Sequence, residues 1–290
     1  MARTARDPTR PPANGRYLAA DVRLGHACAM ADSDEERPNA ARMYDYFLGG
    51  AHNFAVDRQA AEAARAAFPA LPETMRAGRA FLRRAVHFLL DTGIDQFLDL
   101  GSGIPTVGNV HEIARLANVP ARVVYVDVDP IAVAHSRTLL ADEPATVIVD
   151  RDVRDVAGVL ADPQTRHTLD FDRPIGLLFN GVLHFVPDAD DPAGLVAAYR
   201  QAVAPGSYLA IGHATGTRRS ADGEAEIGRA RKVYSDAGER VSLRGRDEIA
   251  ALFAGTTLVE PGVVEVDRWR PDEATEAFGL AGYAGVARID

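Results

Sequence analysis

Cysteine is almost absent from this sequence. Cys28 is the only one among 290 residues, so an intrachain disulfide is excluded. It lies in a polar, aperiodic segment, where a catalytic thiol is not expected. No run of about 18 apolar residues occurs, and the arginines near the N-terminus are not followed by the apolar segment of a signal peptide. We therefore expect a cytoplasmic protein without a membrane partner.

Lysine is equally scarce. Lys232 is the only lysine, and every other basic residue that is not histidine is arginine, a bias typical of a GC-rich bacterial genome. The formal net charge is -9, which disfavours general nucleic-acid binding because such binding needs a basic face. The eight histidines are scattered and form no His-x-x-x-His pair beside an acid cluster, so no metal site is expected.

The chain divides into three parts by composition and periodicity. Residues 1–36 are rich in Arg, Pro, Ala and Asp without a sustained period, which predicts a disordered tail. Residues 37–92 carry three helical patterns, near 38–48, 57–68 and 73–91, and predict an N-terminal helical cap. Residues 93–290 alternate strand-like and helix-like segments, and this alternation predicts a Rossmann-like α/β core.

Short apolar runs mark the strands of that core. They lie near 96–100, 122–127, 145–149, 175–180 and 207–212. Helical segments are predicted near 107–118, 130–141, 154–161, 193–203, 222–236 and 246–254. Strands that alternate with helices predict a parallel sheet with right-handed crossovers, hence a three-layer sandwich. The last two runs, 257–266 and 283–289, have no long helix between them, so we expect them to pair antiparallel.

The most informative motif is Asp99-Leu-Gly-Ser-Gly103, which follows the first predicted strand. Its two glycines allow a tight turn and a close approach of the backbone to a ligand. A dinucleotide fingerprint would place a third glycine where Thr106 stands, and Pro105 lacks the backbone N–H that a pyrophosphate uses. The turn therefore favours a ligand without a diphosphate, such as S-adenosylmethionine. An ordinary strand-to-helix turn is the alternative.

Carboxylates follow three neighbouring strands at the edge where parallel sheets bind ligands. Asp99 is placed to attract the amino group and the sulfonium of the methionine part. Asp127 is assigned to the ribose hydroxyls, with Asp129 as the competing candidate, although Asp129 precedes Pro130 and suits a helix cap. Asp152 is assigned to the adenine amine.

A family resemblance is carried by the segment from Phe97 to His111, which reads Phe-Leu-Asp-Leu-Gly-Ser-Gly-Ile-Pro-Thr-Val-Gly-Asn-Val-His. It resembles the class I S-adenosylmethionine-dependent methyltransferases, and more narrowly a bacterial branch described only as S-adenosyl methyltransferases. Segments 41–54, 79–86, 182–188, 205–209 and 213–216 fit the same pattern. The resemblance implies S-adenosylmethionine as cofactor and a seven-stranded sheet with an antiparallel last strand. Gly78 departs from it, because asparagine would be expected there.

The helical cap contributes further candidates around its Gly49-Gly50 turn. Aromatic rings can enclose a sulfonium by cation–π attraction, with helix packing as the alternative role. Arg79, Arg83 and Arg84 could bind an acidic acceptor or the methionine carboxylate, or could be solvated charges. The complete predicted cofactor site is Asp99, Gly101, Ser102, Gly103, Asp127, Val128, Asp152, Val153, Asn180, Tyr44 and Asn53.

Two histidines follow the fourth and fifth predicted strands and are candidates for a general base. His184 and His213 could each accept a proton, although a base is needed only where the acceptor loses one. Asn180 is followed by Gly-Val-Leu and not by the Pro-Pro-aromatic pattern of amide and adenine methyltransferases. We therefore expect O- or N-methylation of a small molecule. A non-catalytic S-adenosylmethionine-binding protein and, less favoured, a NAD(P)-dependent oxidoreductase are the alternatives.

Overall fold

The computed structural model describes residues 36–290 except 105–107, 218–220 and 273–280. The predicted disordered tail, apart from its last residue, lies outside the described residues. So do Pro105 and Thr106, on which the argument against a diphosphate ligand depended.

One mixed sheet forms the centre of the described chain. Its strands are β1 Gln96–Leu100, β2 Arg122–Asp127, β3 Thr146–Asp150, β4 Gly176–Asn180, β5 Tyr208–Ala214, β6 Thr257–Leu258, β7 Val264–Glu265 and β8 Gly282–Arg288. Their order is β3-β2-β1-β4-β5-β8-β6, and β7 also pairs with β8. The first five strands are parallel and β8 is antiparallel to β5, so the predicted sheet with an antiparallel last strand is confirmed.

The sheet has eight strands in the described residues, where seven were expected. The run 257–266 forms two short strands, and both pair antiparallel with β8. Pro261 and Gly262 separate them: proline has no N–H for the ladder, and Gly262 has a φ of +81°. The predicted antiparallel pairing is therefore confirmed, but the continuous strand is not.

Ten α-helices are found in the described residues. They are α1 Ala40–Phe47, α2 Ala55–Ala67, α3 Leu71–Asp91, α4 Val110–Leu116, α5 Pro130–Leu139, α6 Val156–Ala161, α7 Pro163–Thr168, α8 Pro192–Gln201, α9 Ala221–Asp236 and α10 Arg246–Ala251. Within this part of the chain, no helix is long and apolar enough to cross a bilayer.

Local capping explains two differences from the predicted helices. α4 begins at Val110 and not at 107, because Glu112 accepts the backbone N–H groups of Gly108 (2.8 Å) and Asn109 (2.9 Å) in front of the helix. The extra helix α7 begins at Pro163, where the Asp162 carboxylate accepts the N–H of Gln164 (2.9 Å).

Successive residues of a central strand lie in different apolar clusters, one on each face of the sheet. Leu98 and Leu100 belong to the cluster on one face of the sheet, whereas Phe97 belongs to the cluster on the other face, together with the buried side of α3. All five residues of β1 are buried, as a parallel strand covered by helices on both faces requires. A third cluster joins α1 and α2 to α9, so the first helices share a core with a helix from the C-terminal half.

A buried ion-pair network fixes α1 in place. Arg42 Nε donates to Asp57 Oδ2 (2.9 Å), and Arg42 Nη1 lies 3.6 Å from Asp129 Oδ2. The Asp57 carboxylate also accepts the backbone N–H groups of Asn39 (3.0 Å) and Phe54 (2.8 Å). Because Asp129 follows β2 directly, this network ties α1 both to α2 and to the carboxyl edge of the sheet.

We predict that Arg42→Ala lowers the free energy of unfolding by about 3 kcal/mol, because it leaves two buried carboxylates without their cation. Arg65→Ala is the matched control, since the Arg65–Glu62 pair is about half exposed and its loss should cost much less. Urea unfolding of both variants measures the difference. Equal losses would show that the buried network does not stabilise the fold.

Candidate functional site

A cavity of about 420 Å³ lies at the carboxyl ends of the parallel strands. Residues from α1, α3 and α9 form its other walls. This is the edge of an open α/β sheet where ligands bind, and the volume is in the range of small-molecule sites. In the described part of the chain, no cluster of His, Cys, Asp or Glu residues is arranged to hold a metal ion.

The glycine turn after β1 adopts the backbone that only glycine takes readily. Gly101 and Gly103 have φ angles of +71° and +66°. A Cβ added to Gly101 would lie 2.2 Å from Cγ2 of Val182, so a larger residue could not be accommodated there without a shift. The turn therefore exposes backbone at the cavity wall, as the sequence predicts.

Asp127 is fixed at the end of β2 by backbone donors. Its Oδ2 accepts the N–H of Gly103 (2.7 Å) and its Oδ1 accepts the N–H of Asp129 (2.9 Å). Burial raises the pKa of Asp127, and these N–H groups act in the opposite direction. Each carboxylate oxygen has a further lone pair for a ligand hydroxyl. Asp129 caps α5 instead, by accepting the N–H of Ala132 (2.7 Å).

Asp99 is a buried carboxylate whose charge the fold balances only in part. Its side chain is 5% exposed, and no hydrogen bond to its carboxylate is found among the described residues. Burial raises its pKa to about 7, with Arg79 lowering it and Asp127 raising it further. Tyr44 and Arg79 line the cavity with it. Because an isolated buried carboxylate is costly, a cationic ligand group is the partner that this position would favour.

Asp152 also lines the cavity, but its carboxylate already has a partner. Arg154 donates to it from the backbone N–H (2.8 Å) and from Nε (3.0 Å), and Arg154 Nη1 donates to Asp190 Oδ2 (3.0 Å). These hydrogen bonds hold the pKa of Asp152 below its ordinary value. An adenine amine would therefore have to share this carboxylate with Arg154. Val128, exposed by 63%, offers an apolar surface nearby in the same cavity.

The structure brings every predicted cofactor residue except Asn53 to the cavity wall. The amide of Asn53 instead donates to Asp45 Oδ2 (2.8 Å) and to the carbonyl of Gly50 (3.0 Å), which holds the loop between α1 and α2. Asn180 packs closely against β5, since a Cβ on Gly212 would lie 2.3 Å from its Oδ1.

Of the two candidate bases, His213 has both ring nitrogens engaged. Its Nδ1 donates to the carbonyl of Ala214 (2.7 Å), and its Nε2 accepts from Arg244 Nη1 (2.9 Å), because a guanidinium can only donate. Burial lowers its pKa to about 4. His213 therefore has no nitrogen free to take a proton from a substrate.

His184 also lines the cavity, and its ring is packed against that of His213 with 5.7 Å between centroids. Its Nδ1 is buried without a hydrogen-bond partner among the described residues. Burial, with the neighbouring His213 and Arg244, lowers its pKa to about 3, so the ring is neutral at pH 7. Of the pair, His184 is the histidine that could accept a proton.

The arginines of α3 have different positions. Arg79 lines the cavity, where it donates to Asn109 Oδ1. Arg83 pairs with Asp272 on the surface. Arg84 donates to the carbonyls of Trp269 (2.8 Å) and Val266 (2.9 Å), so it holds the segment before β8 and not a ligand.

Arg244 is a residue of this region that the sequence analysis did not identify. It is 5% exposed and donates to the carbonyls of Leu183 (2.9 Å) and Val186 (2.8 Å) in addition to His213. It thereby positions the backbone on both sides of His184. Its partners lie about 30 to 60 positions away in the chain, so no local pattern reveals it.

Gly78 lies in the wall of the cavity where the resemblance would place asparagine. A Cβ at this position would meet no atom within 4 Å. The missing side chain therefore leaves open space at the site.

Comparison with known proteins assigns the family. The S-adenosyl methyltransferase family matches residues 26–290. A crystal structure of a DUF574 family protein from Streptomyces avermitilis is 41% identical, with a TM-score of 0.83, and the match covers 89% of this chain and 99% of that chain. A putative methyltransferase from Thermobifida fusca is 40% identical, also with a TM-score of 0.83, over 91% and 100% of the two chains. No curated protein matches.

We predict that the free energy of unfolding of Asp99→Asn, relative to wild type, increases as the pH rises. The folded pKa of Asp99 is about 7 and the unfolded value about 3.9. Between these values the folded state holds a proton that the unfolded state lacks, so Asp99 makes the wild type less stable as the pH increases. From about pH 4.5 to pH 8, the stability of the variant relative to wild type should increase by at least about 1 kcal/mol.

Urea unfolding at both pH values measures this change. Asp150→Asn is the control, because Asp150 is an exposed acid at the end of β3 in the same sheet. A stability difference between Asp99→Asn and wild type that is the same at both pH values would show that Asp99 is ionised throughout.

Proposed function

The chain belongs to the S-adenosyl methyltransferase family, and from this premise we propose that it methylates an apolar small molecule held in the cavity. It is an S-adenosylmethionine-dependent methyltransferase built on a Rossmann-like sheet. The acceptor class and the role of each residue are the parts that we propose.

The residues at the strand ends fit S-adenosylmethionine by their chemistry. Asp127 would accept the ribose hydroxyls with the lone pairs that its backbone donors leave free. Asp99 would face the cationic methionine end, because it is the buried carboxylate that lacks a donor in the described structure. Val128 and Val153 would contact the adenine ring. Asp152 would accept a hydrogen bond from the adenine amine while it keeps its hydrogen bonds from Arg154.

The observation that supports a small apolar acceptor is the far wall of the cavity. Beyond the strand ends, this wall is formed by the largely buried side chains Phe68, Leu71, Ile227, Ala230 and Tyr234. They come from α2, α3 and α9 and their connections, so helices cover the cavity on this side and would enclose an apolar small molecule. A cytoplasmic location and the lack of a nucleic-acid partner are part of the same proposal.

The cofactor supplies an activated methyl group, so the protein contributes mainly position. Asp99 and Asp127 would fix the two ends of the donor, and the apolar wall would hold the acceptor in line with it. This arrangement needs no strong base, because an oxygen or nitrogen that is being methylated becomes acidic as its new bond forms.

We assign the proton-accepting role to His184 where the acceptor loses a proton. Burial lowers the pKa of His184 to about 3, so the imidazole is neutral at pH 7 but a weak base, and it would take the proton only from an acceptor atom that methylation has made acidic. His213 would act through Arg244, which holds the loop on which His184 lies. The two histidines that the sequence could not distinguish thus receive different roles.

Asp127→Ala is expected to weaken S-adenosylhomocysteine binding by about tenfold or more, or roughly 1.4 kcal/mol, because the ribose hydrogen bonds are lost. Isothermal titration calorimetry measures the affinity. Asp150→Ala is the matched control, since Asp150 pairs in register with Asp127 on the neighbouring strand but is exposed and does not line the cavity. Unchanged affinity in a folded Asp127→Ala protein would refute the ribose assignment.

His184→Gln is expected to lower the rate of methyl transfer by about tenfold or more while the affinity for S-adenosylhomocysteine stays the same. Transfer of a labelled methyl group to a panel of apolar phenols, amines and carboxylic acids measures both the acceptor class and the rate. Full activity of His184→Gln would exclude it as the base. Tight cofactor binding without product from any member of the panel would contradict the proposed acceptor class.

A further inference from the structure

The arginines that line the cavity differ in whether the fold uses their charge. They are Arg79, Arg151, Arg154 and Arg231. Arg79 donates to Asn109, Arg151 lies 3.7 Å from Asp162, and Arg154 joins Asp152 to Asp190. Within the described residues, Arg231 has no hydrogen bond and no ion pair, so its guanidinium is available to a ligand.

None of the acidic residues that line the cavity forms an ion pair with Arg231 among the described residues. Asp127 and Asp129 accept backbone N–H groups, and Asp152 is paired with Arg154. Glu239 accepts the N–H of Ala40 (3.2 Å) at the beginning of α1. Asp99 is the remaining acid, and it belongs to the strand ends and not to α9. The Arg231 guanidinium is therefore not held by any acid of the cavity wall.

The position of Arg231 on α9 directs it to the apolar wall. It is four residues after Ile227 and three before Tyr234, so the three side chains lie on one face of the helix. Ile227 and Tyr234 are 5% and 7% exposed. Arg231 itself is exposed and also lines a second surface cavity with Glu224 and Ser235, which places it at an opening of the main cavity.

An arginine on a helix surface is commonly only a solvated charge, and α9 provides the comparison. Arg229 is exposed and lines neither cavity. Arg231, two residues later, borders both. The two arginines have the same side chain on the same helix. A difference between the effects of replacing them therefore reports the contribution of the cavity position of Arg231.

We propose that Arg231 binds an anionic group of the methyl acceptor, so that the substrate class is a largely apolar small molecule carrying a carboxylate or a similar oxyanion. The guanidinium would form charge-assisted hydrogen bonds to the anion while the apolar part packs against Ile227 and Tyr234. In a chain with a net charge of -9, the Arg231 guanidinium at the opening would attract an anionic group to the cavity. The inference rests on the proposed function, because it deepens the acceptor class of the same cavity.

Two fluorescent probes of nearly the same shape test this inference. 8-Anilinonaphthalene-1-sulfonate carries an anionic group, and N-phenyl-1-naphthylamine is its neutral counterpart. Both are titrated into the full-length protein saturated with S-adenosylhomocysteine, so that the cofactor part of the cavity is filled. The variants are Arg231→Gln, Arg231→Lys and the control Arg229→Gln.

Arg231→Gln is expected to lower the affinity for the anionic probe by about fivefold or more and to change the affinity for the neutral probe by less than about twofold. Arg231→Lys should retain part of the affinity, and Arg229→Gln should match the wild type. Equal effects of Arg231→Gln and Arg229→Gln, equal weakening of both probes, or no binding of the anionic probe would each overturn the inference. Calorimetry with S-adenosylhomocysteine on the same proteins measures cofactor binding separately. A loss of cofactor binding, which would contradict the proposed function, is therefore distinguishable from a loss of anion binding at Arg231.

Discussion

The buried contact between Arg42 and the carboxylates of Asp57 and Asp129 is the interaction on which the rest of the site depends. A buried guanidinium is tolerated only where its partners are in place, so α1 is confined to the carboxyl edge of the sheet. The chain of contacts continues from Asp129 to Asp127 and from there to Gly103. The helical cover and the glycine turn are therefore held by one connected network.

Two of the charged groups that line the cavity have no hydrogen bond or ion pair within the described structure, Asp99 at the strand ends and Arg231 on α9. Asp99 is costly to the folded protein, because burial opposes its ionised form. Arg231 is solvated and costs little. Such positions are expected at functional sites, where stability is exchanged for the ability to bind a charged ligand. Their opposite signs suit a cationic donor and an anionic acceptor in one cavity.

The sequence predicted what is encoded locally. Alternating runs predicted the parallel sheet, and the acids and glycines at the strand ends predicted part of the cavity wall, since every predicted cofactor residue except Asn53 lines it. The network of Arg42 was not predictable, because its partner Asp57 is 15 positions away and Asp129 much further. His184 and His213 follow equivalent strands, and only the distant Arg244 makes them different. Arg231 could have been found, since its helical spacing from Ile227 and Tyr234 is visible in the sequence.

We propose that the donor lies along the strand ends beneath α1, with its cationic end at Asp99 and its ribose at Asp127. A crystal structure of the protein with S-adenosylhomocysteine tests this most directly. We expect both ribose hydroxyls within hydrogen-bond distance of the Asp127 carboxylate and the ligand amino group beside Asp99, directly or through one water. A ligand bound in the reverse direction, or outside this cavity, would contradict it.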